Sequence, residues 1–268
     1  MEARQVNAAL SAMHNKTDKN DARGIAQILR TGWFNPVHMK SREAHGQRAL
    51  LSSRKALLNK TIDLANEVRG LLKIFGLRLP KTASHGSFDG VVWPLVQMDD
   101  VLTHALLPQL DARVALYQHY LELDRRVKRA ASHDEVCMRF MTVPGVGPIA
   151  ALTFKAAVDD PSRFKSSRTV AAHFGLTPRR YQSGESDNPG RISRAGDREV
   201  RSTLYSAANA MLMRTMAASQ LKSWGMRLMR TKGRRRAVVA VARKLAVLLH
   251  RMWIENTEFR LEGVEGIK

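Results

Sequence analysis

The sequence predicts a mainly α-helical protein built in three successive parts. Three observations carry that expectation. Leucines repeat at heptad spacing along 43–76, and a second helical stripe runs along about 95–140. Aromatic residues make up only 6% of the 268 while alanine and leucine are plentiful. Glycine and proline cluster at a few sites, 76–80, 143–148 and 175–190, and so punctuate the helical pattern.

Residues 1–40 form the first part. "QVNAALSAM" reads as a helix or its end. "DARGIAQILRTG" reads as a second helix, closed by Gly32. "WFNPVHM" follows as a short extended piece, because Pro36 forbids helix there.

Residues 41–140 form the second part. Leu50, Leu57, Leu64 and Leu71 define one line, with Leu51, Leu58, Ala65 and Leu72 beside it. Arg48, Lys55, Lys60 and Arg69 lie off that stripe, and Gly76 and Pro80 end the helix. "KTASHGSFDG" is a polar turn region. A second long helix is expected from about Leu95 to Phe140, with Leu102, Leu106, Leu110, Val114, Tyr117, Leu121 and Leu123 as its stripe. Two such helices joined by a loop make an antiparallel coiled coil or two helices of an ordinary bundle.

Residues 141–268 form the third part. In "VPGVGPIAALT" a small-residue turn precedes a helix with Pro148 near its start. The turn is either a plain glycine turn or the hairpin of a helix–hairpin–helix module, in which the N–H groups around Gly145 and Gly147 meet a DNA phosphate. "KSSRTVAAHFGLTP" is a helix started by Ser166 or Ser167 and ended by Gly175. Residues 179–198, rich in Gly, Ser, Asp, Asn and Arg, are expected to be an exposed loop. Helix returns from Glu199, and the last strong helix spans 234–253.

Charge narrows the function. The formal net charge is +20 and the pI about 10.9, which points to a polyanionic partner, nucleic acid before an anionic membrane. No apolar run approaches the roughly 20 residues of a membrane span. Cys137 stands alone, which excludes an internal disulfide and a cysteine-built zinc site and fits a reducing cytoplasm. Met1–Leu10 lacks the apolar segment of a secretion signal. The expected location is therefore the cytoplasm.

Between Glu199 and Glu255 there is no Asp or Glu, while twelve Lys or Arg fall there. In the last helix Arg234, Arg235, Arg236, Arg243, Lys244 and Arg251 flank an apolar face of Val238, Val241, Leu245, Leu248, Leu249 and Met252. Uncompensated like charges repel unless an anion is supplied, so these are candidate phosphate contacts.

Two constellations have catalytic chemistry open to them. Asp18 and Asp21 sit three apart before an apolar-periodic run. They are either a capping arrangement, Asp18 as N-cap, or part of a divalent-metal site for phosphoryl transfer. Ser183 lies in "YQSGES" among Arg179, Arg180, Arg191, Arg194 and Arg198. A hydroxyl attacking a phosphodiester needs such cations around the developing charge. Ser183 is otherwise a turn residue, and Ser186 and Ser193 are its local rivals. Zinc-hydrolase H-E-x-x-H and Walker-type glycine loops do not occur.

The order and spacing of "KTDKNDARGIAQILRTGWF", "VPGVGPIAALTF", "AAHFGLTPRRYQSGES", "GRISRAGDREVRSTLYSAA" and "AVARKLAVLLHRMW" resemble transposases of the insertion-sequence one-ten family, relatives of the Piv DNA invertase. The resemblance implies a RuvC-like domain with a D-E-D-D carboxylate set holding Mg2+, a coiled-coil insert, and a C-terminal domain with a catalytic serine. Asp18 and Asp21 match the last two acids and Ser183 the serine. It also implies strand exchange on DNA through a phosphoserine step, assembly of several copies on DNA, and in some members a guide RNA encoded by the element. In the family the first Asp and the Glu lie well before the K-T-D-x-x-D motif, and Glu2 does not match that Glu. Residues 1–40 are thus expected to be the end of an N-terminally truncated RuvC-like domain, with half of its metal site. Two functions follow: a DNA transposase, or a catalytically inactive DNA- or RNA-binding remnant of one.

Overall fold

The computed structural model describes residues 1–11, 15–34, 36–183 and 186–261, without the side chains of 180–183 and 186–189. The chain separates into two compact units, Met1–Ser41 and Arg42–Lys268.

The first unit holds α1 (Ala3–Leu10) and α2 (Asp18–Thr31). Gly24 and Ile28, one turn apart, are the buried face of α2. Gly32 closes the helix with φ 68°. The N-cap is Thr17, not Asp18: its hydroxyl accepts from the Asn20 N–H at 3.3 Å. Threonine's extended backbone suits the cap position, which leaves both aspartates inside the first turn of α2, where the helix dipole favours negative charge.

The second unit opens with α3 (Arg42–Ile74), close to the expected bounds. The second long helix is a correction: 95–140 divides into the end of α4 (Phe88–Val96), α5 (Asp100–Ser132) and α6 (Glu135–Met141). Aspartates make the breaks. Asp99 accepts from the N–H groups of Val101 and Leu102, and Asp134 from that of Cys137, so each starts a new helix.

α3 and α5 run antiparallel. Arg54 near the start of α3 binds Asp124 near the end of α5 (Nε to Oδ1 2.6 Å), while Val68 and Leu72 share a core with Leu102, Leu106 and Leu110. Thr61, Ala65, Val68 and Leu72 repeat at four, three and four residues and are buried, so they form the seam of α3. On α5 the seam passes through Arg113 and Asp124, not Val114 and Leu121. Phe88, Val92 and Val96 of α4 close this core at one end.

The larger core joins the end of α5 and α6, through Val127, Ala131, Cys137 and Phe140, to the remaining helices: α7 (Pro148–Val158), α8 (Ser167–His173), α9 (Arg198–Met213), α10 (Gln220–Lys232) and α11 (Arg234–Glu255). α10 adds an element between the two helices expected from sequence. α7 is buried from Ala150 to Val158 except at Lys155, which binds Asp134 and Glu43. Gly145 sits at φ 90°, and a β-carbon there would lie 2.6 Å from the Ala207 carbonyl oxygen. Only glycine lets the turn before α7 approach α9 this closely.

The expected loop at 179–198 is a second correction. β1 (Pro178–Ser183) and β2 (Ser186–Ile192) pair antiparallel, Tyr181 opposite Asn188 and Ser183 opposite Ser186, with an irregularity between Pro178 and Arg180. A hairpin held by its backbone ladder needs no aliphatic alternation, so its sequence looks like a loop. Its foot is pinned to the end of α8: a β-carbon on Gly175, at φ 67°, would lie 2.4 Å from the backbone of Ala195. Among the described residues no helix is long and apolar enough to cross a membrane.

Candidate nucleic-acid interface

α8, the hairpin foot, α10 and α11 surround an open groove of about 2000 Å³. Its basic lining has a simple origin in α11. Ala237, Val238, Val241, Ala242, Leu245 and Leu249 turn into the core. The opposite face then carries Arg235, Arg236, Arg243, Lys244 and Arg251 along the groove. Arg168 of α8, Arg227 of α10, and Arg191 and Arg194 at the hairpin foot complete the lining. No carboxylate lines the groove, and Arg251 alone of these nine cations is ion-paired, to Glu255 at 2.7 Å, among the described residues.

α11 begins with three arginines behind Gly233, which supplies no side-chain cap. Cations at a helix N-terminus oppose the helix dipole, so this end concentrates positive potential. Lys244 rests over the indole of Trp224, its Nζ 3.9 Å from the ring centroid. Beneath the groove His250 joins three elements. Its Nε2–H donates to the Pro161 carbonyl (2.9 Å), and its Nδ1 accepts from the Ser167 hydroxyl (3.0 Å). Burial holds its pKa below the usual value, so the imidazole is neutral at pH 7.

Residues 137–223, from α6 through the glycine turn and hairpin into α10, match the family profile described as "Transposase IS116/IS110/IS902 family". Residues 1–76 match a second profile described as a transposase. The chain is 31% identical over 255 residues to a Coxiella burnetii protein named transposase for insertion sequence element IS1111A, covering 92% of this chain and 69% of that one. The chain belongs to the IS116/IS110/IS902 transposase family. A putative transposase of Sinorhizobium fredii, y4pF/y4sB, is 29% identical over 256 residues, 91% of this chain and 64% of that one. The pilin gene-inverting protein of Moraxella bovis is 30% identical over 121 residues, 44% of this chain and 37% of that one. The chain thus spans about two thirds of the length of the first two relatives.

Within this transposase-family chain the groove gathers seven of the sequence-predicted cations: Arg191, Arg194, Arg235, Arg236, Arg243, Lys244 and Arg251. Three others are outside its lining. Arg179 donates to the Ser193 carbonyl at 3.2 Å, Arg234 to Asn209 at 2.9 Å, and Arg198 is exposed at the start of α9. The side chains of Arg180, Ser183 and Ser186 lie outside the described residues; the backbone of Ser183 ends β1. Ser193 is committed to the hairpin foot, where its hydroxyl accepts from the Ala195 N–H. Gly147 is exposed at the N-cap of α7, whereas Gly145 is turned against α9.

Asp18 is exposed and Asp21 half-buried, both in the first unit. Among the described residues no group of three or more His, Cys, Asp and Glu is placed to hold a metal ion. A divalent cation for phosphoryl transfer takes about six oxygen ligands, and a pair of cations needs several carboxylates. Asp18 and Asp21 by themselves do not fit that donor set.

Sequence reasoning missed Arg168, Arg227 and Trp224. Arg227 and Trp224 sit in "KSWGMRLM", whose short apolar spacing hides a helix; Arg168 follows the start of α8.

Proposed function

We propose that residues 141–268 are the nucleic-acid-binding part of a transposase, with the groove holding the phosphate backbone of DNA. The carrying observation is the groove's nine cations without a carboxylate. Phosphate neutralisation releases counterions, and so does the work of sequence-independent binding. The exposed N–H end at Gly147 is a further phosphate contact, the helix–hairpin–helix reading of that turn.

The hairpin foot lines the groove and β1 leads to Ser183 at its far end. In our reading Ser183 is the nucleophile. Its oxygen forms a bond to phosphorus, a deoxyribose oxygen leaves with the proton, and Arg180, Arg191 and Arg194 neutralise the phosphoryl oxygens. In the whole transposase Asp18 and Asp21 are metal ligands beside further carboxylates, within a RuvC-like domain to which residues 1–40 belong. The α3–α5 pair within 41–140 is a short coiled coil through which copies assemble on DNA, and a guide RNA is a second polyanion of suitable charge.

A second reading is a catalytically silent DNA- or RNA-binding protein. It needs only the groove's cations, which hold a polyanion without any metal-binding carboxylates.

Two measurements test these readings. Duplex binding by the 268-residue protein is expected to weaken steeply with salt; a flat salt dependence overturns the phosphate reading. On a nicked suicide substrate, a covalent DNA adduct that disappears in Ser183→Ala and persists in Ser193→Ala supports the nucleophile. An adduct that survives Ser183→Ala overturns it, and an absent adduct with intact binding supports the silent reading.

A further inference from the structure

A seat for phosphates alone has no need of an apolar floor, yet this groove has one. Leu221 and Trp224 of α10 and Val239, Val247 and Leu248 of α11 line it between the cations, each only half-buried. Apolar area left in water is unfavourable, so an occupant that covers it gains affinity. The nine cations specify that the occupant is an anion. The indole of Trp224 specifies more. Lys244 lies against its ring, 3.9 Å from the centroid, where a flat π-system would otherwise stack. Lys244 is also a groove cation with no carboxylate partner among the described residues.

We propose that the groove takes an unpaired nucleic-acid strand. One base stacks on Trp224, neighbouring bases rest on the apolar floor, and the phosphates lie on the arginine rim. Lys244 exchanges the indole for a phosphate as the strand enters. The inference rests on the nucleic-acid reading above and names the form of nucleic acid. A duplex hides its base faces and reaches Trp224 only by extruding a base, whereas an unpaired strand presents them freely. Unpaired DNA and unpaired RNA share this chemistry.

The test uses the full chain and fluorescent oligonucleotides of one sequence: single-stranded DNA, single-stranded RNA, and the DNA duplex, at one salt concentration. A single 2-aminopurine in each strand reports stacking. The single strands are expected to bind more tightly than the duplex and to show quenched 2-aminopurine. Trp224→Leu is expected to weaken single-strand binding about tenfold and to abolish the quenching, with duplex binding changed less than about twofold. Trp224→Phe retains a ring and most of the effect. Lys244→Gln leaves the indole in place, so quenching persists at lower affinity; this variant keeps the test decisive if Trp224→Leu fails to fold, which thermal melting checks. The DNA and RNA arms separate the two sources. Equal binding of strand and duplex, with Trp224→Leu changing neither or both alike, overturns the unpaired-strand inference while a steep salt dependence upholds the phosphate reading. Absence of binding by every oligonucleotide at low salt overturns both.

Discussion

Arg48 of α3 holds Asp197, the N-cap of α9, through an Nη1–Oδ2 contact of 2.6 Å. The same carboxylate accepts from the N–H groups of Glu199 (2.8 Å) and Val200 (3.4 Å), and Asp197 follows the glycine that ends the hairpin foot. One aspartate therefore joins the helix pair, the start of α9 and the base of the hairpin. Lys55 repeats the link two turns on, binding Glu199. Asp197→Ala removes both cap and ion pair and should cost about 1–2 kcal/mol. Arg48→Ala removes only a partly exposed ion pair and should cost less than about 1 kcal/mol. Denaturant unfolding distinguishes them; equal losses would mean that the cap contributes nothing.

Stability should fall with acid in two stages. Burial pushes the Asp197 carboxyl up, but Arg48 and the two backbone N–H groups outweigh it and the net pKa is lowered. Asp124, beside Lys128 and Arg54, and Asp134, beside Lys155, behave alike, desolvation being outweighed by the bound cation. Carboxylates with lowered folded pKa contribute stability above the ordinary 3.8, and it is lost as pH falls through their lower folded values. His85 and His250 are lowered too, both chiefly by burial, with Arg113 and Arg163 adding to it respectively. The unfolded chain binds those protons near 6.5 while the folded chain does not, so stability is lost as pH falls from there through the folded values. Melting temperature against pH should be level from about pH 8 to 6.5, then fall, and fall again below about pH 4. His85→Gln with His250→Gln should flatten the first fall and leave the second.

The two glycines of the turn before α7 should separate stability from binding. Gly145→Ala places a carbon 2.6 Å from Ala207 O and 2.7 Å from Met211 N, with φ at 90°, and should cost about 2–4 kcal/mol. Gly147→Ala meets open space at an N-cap and should cost less than about 1 kcal/mol. Its effect, if the turn touches phosphate, is weaker DNA binding. Melting and salt titrations of the two variants read this out.

Much of this was legible from sequence where local chemistry settles the outcome. Gly32 closing α2, Pro148 starting α7 and the two faces of α11 follow from conformational preference and periodicity alone. The hairpin was not legible, because a ladder of backbone hydrogen bonds leaves no mark in an aliphatic pattern. The groove was half legible. Periodicity places Arg243 and Lys244 on one face, but only tertiary packing brings Arg168 and Arg227 opposite them. The seam of α5 is the clearest case of a long-range effect. Apolar counting chooses Val114; the structure buries Arg113, because partners 24 and 28 residues away accept from its two terminal nitrogens, although its Nε is left without a partner among the described residues.

Those partners make the last prediction. The Arg113 side chain is 0% exposed. Its Nη1 donates to both oxygens of Asp89, at 2.6 and 2.5 Å, and its Nη2 to the His85 carbonyl at 2.7 Å. The guanidinium also lies 4.5 Å from the Phe88 ring centroid. A buried ion pair returns little net stability, because desolvating both charges offsets their attraction. Breaking it is different, since one charge is left in the core without its counterion. Asp89→Ala should therefore cost about 3–5 kcal/mol. Arg113→Met leaves Asp89 to solvent, which already reaches 20% of its side chain, and fills the seam with an apolar chain. It should cost distinctly less than Asp89→Ala, and adding Asp89→Ala to it should cost little more. Urea unfolding of the two singles and the double measures this coupling. If the Asp89→Ala loss is the same with methionine at 113 as with arginine, the buried cation does not depend on Asp89 and the assignment fails.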